Sequence, residues 1–422
     1  MTTLDDAIDR LAPRAFEVLA RLVAEPSIVG QEQGAEEVLA GELDALGFAI
    51  DRFAIPADIV DDEAAGIAQG SYEGRYDIVA ERGTGNRSLL INGHIDVVPA
   101  DDATRWTSPP FEPTVRDGWM IGRGAGDMKG GFAAGLLAVR ALDEVAPGWQ
   151  RGTLRWVAAI EEESTGNGTL ASGRAGHLAD AALLLEPTDL EILLGGISLI
   201  WVGIELEGLA GHAEAAGESV NPILTALSVV EALRGFEAEM NRAHREGIDR
   251  DEAFGELAHP YNVNIGTFHA GDWASSVPPV ARLQVRVGHP AAWTSEEALA
   301  RVAAAVTAGT ADVEWLVEHP PIIRMTGYRA ERYLQDSTAP LVTAVADAHA
   351  EAHGARPALV TIGSTTDARF YLNQFGVPAL AYGPRTRNMH GTDEAVELAS
   401  IVECAKTVAR FLQRWFDEGS GA

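Results

Sequence analysis

Apolar positions recur at helical spacing over residues 5 to 24 and again over 34 to 46, after which the chain switches to a strand-like run, F-A-I-D-R-F-A-I. Branched residues dominate S-L-L-I-N-G-H-I-D-V-V, which reads as a buried parallel strand ending in a loop at Pro99. The period turns helical again from Lys129 to Val145. Two more apolar runs follow: G-T-L-R-W-V-A-A-I, which leads into Glu161, and A-A-L-L-L, which ends at Glu186. Strands alternating with helices predict an α/β domain, a mostly parallel sheet flanked by helices, with its chemistry gathered at strand ends.

Near residue 198 the texture changes. A strand pattern, S-L-I-W-V-G-I-E-L-E-G, leads to a helix from about Pro222 to Arg242, then strands near 261 to 269 and 280 to 287, a helix from about Ser295, and a strand near 312 to 317. This β-α-β-β-α-β order predicts a small ferredoxin-like unit. Helix and strand alternation resumes after P-P-I-I-R-M, so the small unit is expected as an insertion. The chain divides into 1–197, the N-terminal part of the catalytic domain, 198–319, an inserted lid or dimerisation domain, and 320–422, the C-terminal part.

At 422 residues, with 46% hydrophobic and 22% charged, the chain is long enough for two or more self-sufficient cores. Lys and Arg total 32 against 62 Asp and Glu, so the net charge is 32 − 62 = −30, without a long block of one sign. Nucleic acid and anionic membranes would be repelled at long range, which excludes them as partners. The lone cysteine, Cys404, rules out internal disulfides and a cysteine-rich zinc knuckle. The first residues are acidic and lack a basic segment followed by an apolar core, and no eighteen apolar residues run together. A cytoplasmic protein is expected.

The candidate chemistry lies at the predicted strand ends and the loops beside them. His94 and Asp96 stand two apart in G-H-I-D-V-V-P-A, on the same side of a strand, where a carboxylate can accept the ring N–H and fix the imidazole tautomer. Asp127 sits among Gly122, Gly124, Gly126, Gly130 and Gly131, a loop able to wrap an ion. A phosphate cradle is the rival reading, but the spacing fits neither G-x-x-x-x-G-K-[ST] nor G-x-G-x-x-G. Glu161, Glu162 and Glu163 follow a strand directly, so one can bind an ion while its neighbour accepts a proton. With Glu186 and His390, this spread of carboxylates and imidazoles suits two zinc-like ions with one carboxylate left for acid and base work. Read singly, the glutamates are also compatible with a solvated turn and His390 with an ordinary loop histidine.

Taken together, these motifs resemble, in order and from about residue 10 to 415, the superfamily of dinuclear zinc amidohydrolases and exopeptidases that includes acetylornithine deacetylase, succinyl-diaminopimelate desuccinylase, aminoacylase and carboxypeptidase G. The resemblance implies a zinc-exopeptidase-like catalytic domain and two divalent metals, zinc or else cobalt or manganese. It implies that His94 and Glu186 hold one ion, Glu163 and His390 the other, that Asp127 bridges them, and that Asp96 orients His94. It also implies a cis peptide after Asp127. Family members usually carry Asp-Glu-Glu where this chain has three glutamates; counting from Gly152 and Gly168 favours Glu162 as general base and Glu163 as ligand, with Glu161 and Glu162 as the other register.

In L-E-G-L-A-G-H-A-E-A-A-G-E-S-V-N-P the resemblance implies that His212 stabilises the developing oxyanion, often across a dimer interface. Asn262 and Arg286 in the following hairpin, and Arg369 with Asp367 in G-S-T-T-D-A-R-F, are implied substrate-side residues; a packed strand arginine is the competing reading of Arg286. The expected function is metal-dependent removal of the acyl group from an N-acyl amino acid or related carboxylated amide. A dipeptidase or glutamate-type metallocarboxypeptidase is the alternative within the same chemistry, and a catalytically silent metal-binding relative the alternative outside it. A homodimer through the inserted domain is expected.

Overall fold

The computed structural model describes residues 2–248 and 250–418. The expected alternation is present. A sheet runs in the order Ala49–Ala54, Tyr76–Arg82, Thr153–Ala159, Ser88–His94, Ala182–Leu184, Ala379–Ala381, Ile192–Gly196, Tyr333–Leu334, with Leu359–Ile362 also pairing Ile192–Gly196. Its heart is parallel: Ser88–His94 lies between Thr153–Ala159 and Ala182–Leu184 and runs with both. The edge formed by Ala49–Ala54 and Tyr76–Arg82 is antiparallel.

Of the helices stacked on this sheet, three pack on one another. Leu4–Ala24 begins with a capping box between Thr3 and Asp6 and buries Ile8, Leu19 and Leu22. It packs, as does Leu398–Glu418, against Gly130–Val145, which is buried on nearly every side. Gly131 explains the close fit to the sheet, since a Cβ there would stand 1.9 Å from the Leu185 carbonyl oxygen. Each fully buried Leu or Ile in this core contributes about 1.5–3 kcal/mol. Among the described residues no helix is long and apolar enough to cross a membrane.

The second sheet is wholly antiparallel, in the order Val263–Ala270, Val280–His289, Ser198–Glu207, Ile322–Ala330. Helices Pro222–Arg245 and Ser295–Gly309 complete the β-α-β-β-α-β order expected. They cover one face, where Ile200, Val202, Ile204, Val285 and Val287 meet Val229, Leu233 and Val302. One element differs from the sequence reading. Residues 312 to 317 do not form the fourth strand: Glu314–Glu318 is a short helix that turns Leu316 inward and stacks Trp315 on His319. The fourth strand is Ile322–Ala330, so the small sheet takes in residues that the division at 319 gave to the larger unit. A run with several β-formers, V-E-W-L-V, carries both periods when only five residues long.

A third sheet was not anticipated. Thr114–Arg116, Trp119–Ile121, Ala395–Glu397 and Thr386–Arg387 pair in the order Thr386–Arg387, Ala395–Glu397, Trp119–Ile121, Thr114–Arg116. It joins the approach to the Asp127 loop to the hairpin that carries His390.

Candidate metal centre

The sheet register brings three clusters to one edge. His94 is opposite Ala159, and Asn92 is opposite Leu184, so His94, the Glu161–Glu163 run and Glu186 all leave the same ends of adjacent parallel strands. Asp127 arrives from the glycine loop, where Gly124 has φ +79° and the Asp127–Met128 peptide is cis, as the resemblance implied. The Gly126 and Asp127 N–H groups donate to Glu394 Oε1, each at 3.0 Å, and Arg123 pairs with the same carboxylate. His390 sits at the tip of the 386–397 hairpin with φ +60°.

Two groups of side chains converge: His94, Asp127 and Glu186, and Asp127, Glu163 and His390. His94 Nε2 is 3.1 Å from Asp127 Oδ1 and 3.8 Å from Glu186 Oε2; His390 Nε2 is 3.1 Å from Glu163 Oε2 and 3.4 Å from Asp127 Oδ2. Ligand atoms tetrahedrally placed about 2 Å from a zinc-sized ion lie about 3.3 Å apart, so the spacing fits. Asp127 belongs to both groups, one oxygen toward each. His94 Nδ1 lies 2.8 Å from the backbone carbonyl of Asp96. A carbonyl only accepts, so Nδ1 carries the hydrogen and Nε2 is left as the donor to a cation.

The electrostatics also favour cations. Asp127, Glu162, Glu163 and Glu186 are four carboxylates around two imidazoles. Burial first, and then the neighbouring Asp127 and Asp367 charges, push Glu186 up to about 8 against the pull of His94. The Glu163 carboxylate, with Asp127 behind it, raises His390 to about 11. Asp127 is held below its ordinary value: burial works against the charge, but the His390 and His94 rings beside it outweigh that.

The three successive glutamates divide by environment. Glu161, with φ +62°, turns away from the ligands; its carboxylate takes hydrogen bonds from Arg75, Tyr72 at 2.7 Å and Thr165 at 2.8 Å. Glu163 reaches His390, and Glu162 lines the cavity over the centre. The Asp96 carboxylate stands 3.7 Å from His94 Nδ1, but it accepts the backbone N–H groups of Glu162 and Glu163, both at 3.1 Å. Asp96 thus ties the His94 strand to the glutamate turn, while its carbonyl aligns the ring.

The cavity has a volume of about 680 Å³. Its far wall is the open face of the small sheet. Trp201, Arg286 and Asn264 are lateral neighbours across three strands, and all line the space, as does Gln284. The alternating residues, Leu283, Val285 and Val287, are buried, with Val285 also touching the cavity. Arg286 Nη2 donates to the Gly363 carbonyl at 3.0 Å and to Ser364 Oγ at 3.4 Å; among the described residues no carboxylate pairs with it.

Three expected residues fall elsewhere. Asn262 donates to the His259 carbonyl outside the cavity, because the strand begins at Val263 and Asn264 takes the wall position. Arg369 is buried, pairing with Asp367 at 3.2 Å and donating to the Thr165 carbonyl at 3.0 Å, so it braces the glutamate turn and does not line this cavity. His212 is exposed on Gly211–His212, which pairs with Ser276–Val277 in a separate two-stranded ladder; its ring accepts the Glu214 N–H and is not part of this chain's own cavity lining. Two residues escaped sequence reading: Glu394, four residues after His390, and Tyr328, whose hydroxyl donates to the Glu162 carbonyl. Both act through backbone groups, which leave no spacing signature.

A parallel-sheet edge with two triads sharing an aspartate, and a cavity glutamate in neither, defines a metal-dependent hydrolase. Residues 90–414 match peptidase family M20/M25/M40, and the chain belongs to that family. It is 30% identical over 408 residues to a succinyl-diaminopimelate desuccinylase of Methylorubrum populi, covering 94% of this chain and 96% of that one. Among solved structures, the fold is similar to the dipeptidase Dug1p of Saccharomyces cerevisiae, with TM-score 0.81 and 17% identity over 98% of each chain. It is also similar to human carnosine dipeptidase 1, with TM-score 0.77 and 17% identity over 98% of this chain and 99% of that one. The fold class and the hydrolytic chemistry expected from sequence are both present in this family, which includes metal-dependent deacylases and peptidases.

Proposed function

We propose that the protein removes the acyl group from an N-acyl amino acid or a related carboxylated amide. The observation that carries this is Arg286, a cation without a carboxylate partner, facing the convergent His94, Asp127, Glu163, Glu186 and His390 across one cavity. A substrate carboxylate on Arg286 leaves the adjoining amide over the metal cluster. Dipeptides present the same two groups, so hydrolysis of a dipeptide is the second reading.

His94 and Glu186 would hold one ion, Glu163 and His390 the other, with Asp127 between them. Two bound divalent ions, zinc or in its place cobalt or manganese, would polarise the amide carbonyl and lower the pKa of water toward 7. Glu162, in the cavity and in neither triad, takes the proton from the attacking water and delivers it to the departing amine. Glu161 is occupied by Arg75 and Tyr72, which supports the register with Glu162 as base. Arg286 orients the substrate.

His212 would complete the site from a second copy, giving a homodimer joined through the small domain. Exposed Ile223, Leu224 and Leu227 on helix Pro222–Arg245, with Phe268 on the edge strand Val263–Ala270, support that surface. Buried, unpaired Cys404 supports a cytoplasmic setting.

The test is hydrolysis of N-acetyl, N-succinyl and N-formyl amino acids and dipeptides by chelated protein, before and after zinc or cobalt is restored. Metal-dependent release from acyl amino acids is expected. Cleavage of dipeptides alone would replace the first reading by the second, and no cleavage at full metal content would overturn both.

A further inference from the structure

We infer that Tyr328 is a positioning residue for Glu162, one that makes the placement of the general base depend on the small sheet. The inference rests on the reading of Glu162 as base. Tyr328 lies on Ile322–Ala330, the strand that pairs with Ser198–Glu207 from Ile322 to Met325 and again at Arg329 and Ala330, with a register shift between. The shift frees residues 326 to 328 from the ladder, and all three bond to the catalytic half. The Thr326 carbonyl accepts from Gln69 Nε2 at 2.7 Å, the Gly327 carbonyl accepts the Ile67 N–H at 2.8 Å, and the Tyr328 hydroxyl donates to the Glu162 carbonyl.

Glu162 is thereby fixed on both sides of its Cα. Its N–H is held by Asp96, at the end of the central sheet, and its C=O by Tyr328, from the small one. The Tyr328 ring is itself immobilised: Trp201 meets it edge-on at 5.5 Å, and the Arg369 guanidinium lies 5.2 Å from its centre. Arg369 also donates to the Thr165 carbonyl, so the tyrosine and arginine grip both ends of the turn that presents Glu162. With the hydroxyl removed, the buried carbonyl loses this partner and the peptide is free to tilt, carrying the carboxylate with it. A misplacement of about 1 Å can cost about a hundredfold in rate.

The experiment uses full-length, metal-loaded protein and the best amide from the substrate panel. Tyr328→Phe keeps the ring and is expected to lower kcat about ten- to a hundredfold, with KM within about twofold and metal content unchanged. Gln69→Ala, which removes an exposed tether to the same segment, should lower kcat about two- to threefold, and decides the matter alone if Tyr328→Phe does not fold. A merely structural role would lower the melting temperature while leaving kcat intact at temperatures where both variants are folded. That result, or a loss of kcat that tracks loss of metal, overturns the inference. Glu162→Gln is run alongside: if it stays active, the reading of the base has failed, whereas an inactive Glu162→Gln beside wild-type kcat in the other two variants overturns only the role of Tyr328.

Discussion

At the floor of the cavity the groups that carry the candidate metal ligands are held from behind. His94 leans on the Asp96 carbonyl, the Glu162 and Glu163 amides on the Asp96 carboxylate, the Asp127 amide on Glu394, and Glu394 on Arg123. The wall is held more lightly: Arg286 reaches Gly363 and Ser364, and Gln284 takes a hydrogen bond from Thr326. The floor is set before a substrate arrives, as charge stabilisation requires, whereas the wall retains donors to offer a ligand. On the proposed reading the metal chemistry belongs to the first region and substrate selectivity to the second, and the two meet where Tyr328 of the small sheet reaches the Glu162 carbonyl. That division can be broken by experiment.

The largest effect is expected at the floor. Asp127 offers one oxygen to each triad, so Asp127→Ala removes a ligand from both at once. Metal analysis should find fewer than two ions per chain, and kcat should fall by about three orders of magnitude or more, in the range of lost transition-state stabilisation. Retention of two ions with substantial activity would show that the triads are independent and the floor less unified than its hydrogen bonds indicate.

A smaller and different effect belongs to the wall. Arg286→Ala should raise KM for carboxylated amides about 10- to 100-fold, the worth of a charge-assisted hydrogen bond, with kcat changed by less than about threefold. Amides without the carboxylate should be cleaved equally by both proteins. If kcat falls instead while KM holds, Arg286 acts in the transition state, and wall and floor are one machine.

The same contrast governs how much of the molecule was legible in its sequence. Candidate ligands at parallel strand ends follow apolar runs directly, so His94, Glu163 and Glu186 stand out where each run stops, and Asp127 is flagged by its glycines. The wall is an antiparallel sheet whose outward residues are any polar type, and period two places Asn262 and Asn264 on the same side; only the start of the strand at Val263 decides between them. Arg369 lies outside this cavity because its partner, Asp367, is two residues away and draws it inward. Short elements were also opaque. The sheet that carries His390 toward Asp127 is made of two- and three-residue strands, too brief for any period to register. Glu394 and Tyr328 hold backbone atoms, a task that almost any donor or acceptor at that place can perform.

The change expected to touch activity least tests whether partnered burial is really the rule on the catalytic side. Glu36, on helix Gln33–Asp44, is 2% exposed, and its Oε1 has no hydrogen-bond partner. Burial, with the nearby Asp77 and Glu32 charges adding to it, raises it from 4.5 to about 9. Its neighbours belong to the networks that fix the glutamate turn: Glu32 pairs with Arg75, which grips Glu161, and Asp77 accepts the Ile160 N–H. Glu36 is accordingly neutral in the fold at physiological pH. With the folded value above the unfolded one, the fold binds the extra proton between them, so this contribution to stability is full below about pH 4.5 and is lost as pH rises through about 9. Glu36→Gln stays neutral at every pH and removes that dependence. Urea unfolding at pH 5 and pH 9 should find the two proteins nearly equal at the lower pH and the variant more stable, by several kcal/mol, at the higher. An advantage that does not grow with pH would mean that Glu36 is ionised in the fold and has found a partner, which would extend the pattern of the floor to every buried carboxylate beneath it.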